Sequence, residues 1–292
     1  MKILFTDPLH NEGIRLLKNV NFEVIDGTNA SLEKKISLSR DVDAWLIRSG
    51  TTINKKAIDR AQKLKIIGRA GVGVDNIDIE CATKRGIVVT NTPDVNTTSA
   101  CEHTIALMLT LSRNISLGDQ SIKIGNWNRN ELIGTELRSK TIGIIGMGKI
   151  GRELMKRCLS FDMKILAYDP YVNKDLIESE NVVLVSLDEL FSNSDFISTH
   201  VPLNDNTRDL INKESFSLMK SSVRIINVAR GGIINEQDLA DALKKNKIAG
   251  AAIDVFSKEP IETNNPLINA PNVILTPHLG ASTEEAKKGV ST

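Results

Sequence analysis

Short apolar runs rich in β-branched residues recur along the chain, with longer amphipathic stretches between them. The first half carries such runs at 2–6 ("KILFT"), 22–25 ("FEVI"), 43–48 ("DAWLIR"), 64–68 ("LKIIG") and 87–90 ("IVVT"). None alternates apolar with polar positions, as expected of parallel strands covered on both faces. Helical patterns lie between them, as at 11–17 and 55–61. A second series starts at 140–146 ("KTIGIIG") and continues at 163–169, 182–185, 195–200, 223–229, 248–255 and 272–276. Helices are predicted between these runs, at 150–160, 187–192, 214–219 and 235–245. Such strand–helix alternation predicts doubly wound α/β sheets. Between the two series a polar loop at 93–99 breaks the rhythm. Residues 100 to about 123 then read as one long helix, able to carry the chain from one domain to the next. The closing segment "ASTEEAKKGVST" predicts a short helix with Ser282 as N-cap and Glu284 and Glu285 in its first turn.

Composition changes this picture little but excludes several classes. A length of 292 residues suits two domains. Lys+Arg 37 against Asp+Glu 36 leaves no global field pointing to nucleic acid or to an anionic membrane. No apolar run approaches the roughly 18 residues of a membrane span. The opening "MKILFTDPLH" reads as a first strand and not as a signal peptide. Cys81, Cys101 and Cys158 are odd in number, widely spaced and in no CxxC pair. They argue against a disulfide framework or a zinc site and for reduced thiols in a cytoplasm, so no metal is expected.

Chemistry enters with the glycines. Gly146-x-Gly148-x-x-Gly151 directly follows a predicted strand and directly precedes a predicted helix. This is the dinucleotide fingerprint: one glycine to turn, one to admit the pyrophosphate, one to pack the helix on the strand. The helix N-terminus then faces the anion. The next strand ends at Asp169, whose carboxylate suits adenosine ribose hydroxyls and repels a 2′-phosphate, favouring NAD over NADP. Arg152 reads as a surface or pyrophosphate-edge residue. A second glycine cluster, "GVGVDNID", lacks the third glycine. It reads either as a plain tight turn or as a loop at a strand end whose backbone amides receive a small anion.

Three side chains can do chemistry beside such a cofactor. Arg230 ends the run "VRIINVA", Glu259 follows "AIDVFSK", and His278 follows a strand and Pro277. Strand carboxyl ends are where open α/β sheets bind ligands. Oxidising an alcohol by hydride transfer needs a base for the hydroxyl proton, and histidine suits neutral pH. A carboxylate on its other nitrogen fixes the tautomer and stabilises the imidazolium. Arginine offers a planar fork to a substrate carboxylate. Each residue also has a plainer reading, as a cap, a solvated acid and an ion-pair partner. Of the other histidines, His103 reads as structural, and His200 ends a strand that can line the cofactor cleft.

The motifs "GRAGVGVDNID", "SACEHTIALMLTLSRNI", "GIIGMGKIGRE", "YDP", "INVARGGIINE", "AAIDVFSKEP" and "TPHLGAS" occur in this order. The chain thereby resembles the D-isomer-specific 2-hydroxyacid dehydrogenases over about residues 40 to 286. The resemblance implies Arg230, Glu259 and His278 as catalytic residues. It implies NAD held by Gly146, Gly148, Lys149, Ile150, Gly151 and Asp169, joined by Val72, Val201, Val228, Ala229, Arg230, Asp254, His278, Gly280 and Ala281. The implied fold is a Rossmann NAD domain (99–280) inserted in a flavodoxin-like substrate domain (1–98, with 281–292 returning to it). It implies a homodimer or dimer of dimers, formed through the NAD domain.

Within the family the motifs look closest to members that oxidise D-3-phosphoglycerate at the entry to serine synthesis. That substrate needs a phosphate site. Arg48 and Arg69 both end strands of the first domain, and the family places the loops of Asn96 and Arg129 nearby. The substrate set is then Arg48, Arg69, Val72, Gly73, Asn96, Arg129, Arg230 and His278. The competing reading of the two arginines is pairing with local acids such as Asp43 or Asp75. The loop "TPDVN" departs from the family, with Val95 where glycine is usual. Two alternatives stay open: a glyoxylate or hydroxypyruvate reductase, and an NAD-sensing corepressor on the same fold.

Overall fold

All the apolar runs named above form strands, and every strand pair is parallel. The structure is a computed structural model that describes residues 1–173, 179 and 181–292. The chain divides into two compact units, Met1–Asn96 with Ala281–Thr292, and Thr97–Gly280 between them.

In the first unit β1 (Lys2–Phe5), β2 (Glu23–Asp26), β3 (Ala44–Ile47), β4 (Ile66–Arg69) and β5 (Val88–Asn91) lie in the order β2-β1-β3-β4-β5. That is the flavodoxin-like order. Helices α1 (Asn11–Asn19), α2 (Leu32–Leu38), α3 (Lys55–Arg60) and α4 (Ile79–Lys84) connect the strands. Ser31, Asn54 and Asp78 start the last three by accepting a backbone N–H of the first turn. Trp45 is fully buried, and its indole N–H reaches Thr6 Oγ1 at 2.9 Å.

The second unit opens with α5 (Thr97–Ser112) and α6 (Ile115–Lys123). It continues with β6 (Thr141–Ile145), α7 (Lys149–Leu159), β7 (Lys164–Tyr168), β8 (Val182–Leu184), α8 (Leu187–Asn193), β9 (Phe196–Thr199), α9 (Lys213–Leu218), β10 (Arg224–Asn227), α10 (Glu236–Lys244), β11 (Gly250–Ile253) and β12 (Val273–Leu275). The sheet order is β12-β11-β10-β9-β6-β7-β8. This is the doubly wound dinucleotide-binding order with one strand added, and it reverses between β6 and β9. Neighbouring residues of one strand serve opposite cores: Ile225 belongs to the buried cluster of Ile197 and Leu239, and Ile226 to that of Met108 and Phe196. Burial on both faces is why the central runs carry no alternation. The last helix, α11 (Glu284–Ser291), belongs to the first unit and packs on α1. A Cβ at Gly13 would stand 2.1 Å from Ser291 O, and one at Gly289 would stand 2.1 Å from Val95 Cγ1. Val95 therefore seats α11, which accounts for its place in a loop where the family favours glycine.

Three sequence expectations need correction. The long helix predicted from 100 to about 123 is two helices, broken at Asn114, which is left-handed at φ 52°. Ser112 O accepts Thr135 N at 2.9 Å, so a returning strand of loop takes a helix-end carbonyl and turns the chain. The N-cap of α11 is Thr283, whose hydroxyl accepts Ala286 N at 3.1 Å, and not Ser282. The run 223–229 pairs only over Arg224–Asn227. Among the described residues no helix is long and apolar enough to cross a membrane.

Candidate active site

The glycine loop sits at the point where the strand order of the second unit reverses. Gly146 leaves β6 at φ +98°, and a Cβ there would lie 2.6 Å from His200 O and 2.9 Å from Val201 Cγ1. No side chain fits that turn. A Cβ at Gly151 would stand 2.0 Å from Gly146 O, so the first turn of α7 lies directly against the loop. Gly148 is the N-cap of α7, has no side-chain cap, and would place a Cβ in open space. Lys149 and Ile150 follow in the first helical turn. Asp169, one residue past β7, accepts Met147 N at 2.8 Å on Oδ2 and Tyr171 N at 2.9 Å on Oδ1. His200 leaves β9 with Nε2 2.9 Å from Ser198 Oγ, and burial pushes its pKa down to about 4, so the ring is neutral.

Arg230 is placed by a side chain that the sequence reading passed over. Asn227, the buried last residue of β10, accepts Thr199 Oγ1 at 2.9 Å and Ala229 N at 3.0 Å on Oδ1. Its Nδ2 donates to Arg230 O at 2.9 Å. Asn227 therefore ends the strand and builds the Val228–Ala229–Arg230 turn; the signal was a polar residue closing the run "RIIN". Arg230 donates from Nη1 to Ala229 O at 2.6 Å. A Cβ at Gly231 would fall 1.9 Å from the Phe256 carbonyl, so this turn is pressed onto the loop that carries Glu259.

Glu259 and His278 meet. Glu259 accepts Phe256 N at 3.0 Å on Oε1, and its Oε2 lies 2.6 Å from His278 Nδ1. Burial pushes the Glu259 carboxyl up, but the bonds from His278 and the Phe256 amide outweigh it and hold the group below its ordinary value. A carboxylate only accepts, so the shared proton sits on Nδ1, which leaves Nε2 as the lone-pair nitrogen of the neutral ring. The His278 side chain is 42% exposed, open to a reacting partner.

His278 has φ +55°, a left-handed backbone that costs a non-glycine residue roughly 1 kcal/mol. It persists because Asp254, one residue past β11 and fully buried, holds the segment. The Asp254 carbonyl accepts His278 N at 2.8 Å, and its carboxylate accepts Leu279 N at 2.7 Å and Gly280 N at 2.8 Å.

The substrate-set residues of the first unit lie just after β3, at and after the end of β4, and just before α5. Asp7, 4% exposed, accepts Arg48 N at 2.6 Å, Thr51 N at 3.1 Å and Thr51 Oγ1 at 2.8 Å. Asn76 Nδ2 reaches Arg48 O at 2.7 Å and Thr51 O at 2.6 Å. The loop bearing Arg48 is thus pinned from two sides. Asp43 is engaged by Lys65 at 2.9 Å and by Lys2 N at 2.9 Å. The Arg69 guanidinium covers Gly71, where a Cβ would stand 1.3 Å from Nη1. Asn91 Nδ2 donates to Val72 O at 2.6 Å, next to Gly73. Asn96 Oδ1 has no hydrogen-bond partner among the described residues. Ala281 begins the return to the first unit. Arg129 belongs to the second unit, in an exposed 3₁₀ turn, Arg129–Glu131.

Residues 105–280 match the family model described as "D-isomer specific 2-hydroxyacid dehydrogenase, NAD binding domain". The chain belongs to the D-isomer specific 2-hydroxyacid dehydrogenase family. It is 48% identical over 293 residues to D-3-phosphoglycerate dehydrogenase of Methanocaldococcus jannaschii, covering 100% of this chain and 56% of the relative. With the enzyme of the same name from Archaeoglobus fulgidus it shares 47% identity, over 99% of this chain and 55% of the relative. The chain thus spans a little over half the length of the curated relatives it matches. Among solved structures, D-lactate dehydrogenase of Aquifex aeolicus, complexed with NAD and lactic acid, superposes with a TM-score of 0.86 at 28% identity, covering 100% of this chain and 92% of the other.

The second unit is therefore an NAD-binding domain of this 2-hydroxyacid dehydrogenase family, and its residues fit the dinucleotide. Open space stands over Gly148, the N-terminus of α7 carries no side-chain cap, and a carboxylate closes the far side of the loop at Asp169. Uncapped helical N–H groups suit a pyrophosphate. Asp169 keeps acceptor capacity for ribose hydroxyls, since a carboxylate offers about four lone-pair sites.

Proposed function

We propose that the chain carries NAD-dependent oxidation of D-3-phosphoglycerate to 3-phosphohydroxypyruvate, the first step of serine synthesis. The observation that carries this reading is the 2.6 Å contact between Glu259 and His278 Nδ1, in the unit that holds the glycine loop. NAD, when bound, supplies a hydride acceptor for the hydrogen on the substrate's C2. Gly146, Gly148, Lys149, Ile150, Gly151 and Asp169 would hold it, joined by Val72, Val201, Val228, Ala229, Arg230, Asp254, His278, Gly280 and Ala281.

Every other duty falls to the protein. His278 Nε2 takes the hydroxyl proton as the carbon–oxygen double bond forms. Glu259 keeps Nδ1 protonated and stabilises the imidazolium that results. Arg230 holds the substrate carboxylate and polarises the neighbouring oxygen. In the reverse direction His278 returns the proton. Arg48 and Arg69 are assigned as recognisers of the phosphate, with Val72, Gly73, Asn96 and Arg129 as the further substrate residues. The names of the relatives at 48% and 47% identity support this substrate.

Arg48→Ala and Arg69→Ala test the substrate assignment. Each is expected to lower kcat/KM for D-3-phosphoglycerate by about tenfold or more, while changing that for D-glycerate by less than about threefold. Equal losses on both substrates would remove the phosphate role. Free cysteines suit a reducing cytoplasm. A second copy of the chain is assigned to the apolar surface of α6 and the loop beyond it, where Ile115, Leu117, Ile124, Trp127 and Ile133 are exposed.

A further inference from the structure

We infer that His103 is a positioning residue for the His278 loop, acting through the buried carboxylate of Asp254. The inference rests on reading His278 as the acid–base group. His103 lies inside α5, far in sequence from the loop, and its side chain is 19% exposed. Its Nε2 stands 3.2 Å from Asp254 Oδ1 and 3.3 Å from Thr276 Oγ1. The same Oδ1 accepts the Thr276 hydroxyl at 2.6 Å and Leu279 N at 2.7 Å, and Oδ2 accepts Gly280 N at 2.8 Å. The side chain of Thr276, two residues before His278, and the two amides just after it are therefore tied to one carboxylate.

The chemistry of that carboxylate fixes what His103 does. Burial pushes the Asp254 carboxyl up, yet the bonds from His103, Thr276, Leu279 and Gly280 outweigh burial and keep it below its ordinary value. An ionised, fully buried carboxylate has only acceptors, so Nε2 of His103 is the donor and carries hydrogen. The backbone after His278 lies flat on this group: a Cβ at Gly280 would stand 3.3 Å from Asp254 Oδ2 and 2.7 Å from Val228 Cγ1. His278 itself sits in the left-handed region, which holds only where neighbours over-determine it. Removing the His103 donor frees Asp254 to rotate toward other donors, and the amides of Leu279 and Gly280 lose their fixed acceptor. His103 thus connects α5 to the ring that takes the proton, without touching substrate.

The test uses the full chain with three variants. Gln is expected to carry its side-chain amide near the position of imidazole Nε2. Asn keeps the donor type but falls one bond short, and Leu removes the donor. Two readouts are taken: amide hydrogen exchange at Leu279 and Gly280, and steady-state kinetics with NAD and D-3-phosphoglycerate. For His103→Leu and His103→Asn, exchange at both amides is expected to rise about tenfold and kcat to fall about tenfold, with KM for the hydroxy acid moved less than about twofold. His103→Gln is expected to stay within about threefold of the parent on both readouts. Unchanged exchange in His103→Asn, or damage in His103→Gln equal to that in His103→Asn, overturns the inference. These two variants keep the test decisive if His103→Leu does not fold. If the parent turns over no 2-hydroxy acid, the proposed function fails, and the exchange rates alone decide the role of His103.

Discussion

His278 shows how a single residue's role is set by what surrounds it. Its ring is exposed enough to meet substrate, its Nδ1 is committed to Glu259, and its strained backbone is held by Asp254. Glu259→Gln keeps the shape and removes the charge. It is expected to lower kcat by about 10²-fold with little change in NAD affinity, as read by steady-state kinetics and a binding titration. Asp254 allows a pH prediction with a definite sign. Its folded-state pKa lies below the ordinary carboxylate value, so the stability it contributes is present above that value and is lost as pH falls through the folded one. The difference in melting temperature between parent and Asp254→Asn should therefore be largest near neutrality and shrink below about pH 4. A difference that grows on acidification would refute the ionised assignment.

At the scale of elements, the central strands were legible because burial on both faces leaves continuous apolar runs, and Ile225 and Ile226 serve opposite cores. The glycine loop was legible because each glycine answers a separate geometric demand. What the sequence hid depends on long-range partners. The break between α5 and α6 comes from a left-handed Asn114 and from Thr135 reaching back to Ser112, neither visible in a hydrophobic period. The Arg230 turn depends on Asn227, and the Arg48 loop on Asp7 and Asn76; Asn227 and Asn76 lie inside quoted motifs, yet nothing in their type or spacing marks them as braces. A pair of variants separates packing from cofactor binding within one loop. Gly151→Ala drives a methyl into Gly146 O and should cost about 1–3 kcal/mol of stability. Gly148→Ala meets nothing in the protein, so its stability should change by less than about 1 kcal/mol while NAD affinity falls. Calorimetry and NAD titration distinguish the two; equal melting temperatures for both variants would contradict the packing argument.

At the scale of the molecule, two parallel-sheet units share one chain, and the second interrupts the first between Asn96 and Ala281. The order of the motifs made this architecture readable, because "TPDVN" and "TPHLGAS" flank the inserted sheet. The exposure of the apolar residues around α6 was not legible in sequence: Trp127 is 81% exposed and Ile133 83%. Trp127→Glu is expected to shift the chain toward monomer in sedimentation experiments, and an unchanged mass would remove that surface as the interface. The central claim is that His278, tuned by Glu259, moves the substrate proton for an NAD-linked oxidation. Formation of NADH from D-3-phosphoglycerate, compared between the parent and His278→Ala at matched NAD saturation, tests it most directly. The account predicts steady NADH formation by the parent, a loss of about 10³-fold or more in kcat for the variant, and NAD affinity within about twofold. Retained turnover in His278→Ala, or loss of NAD binding that accounts for the defect, would contradict it.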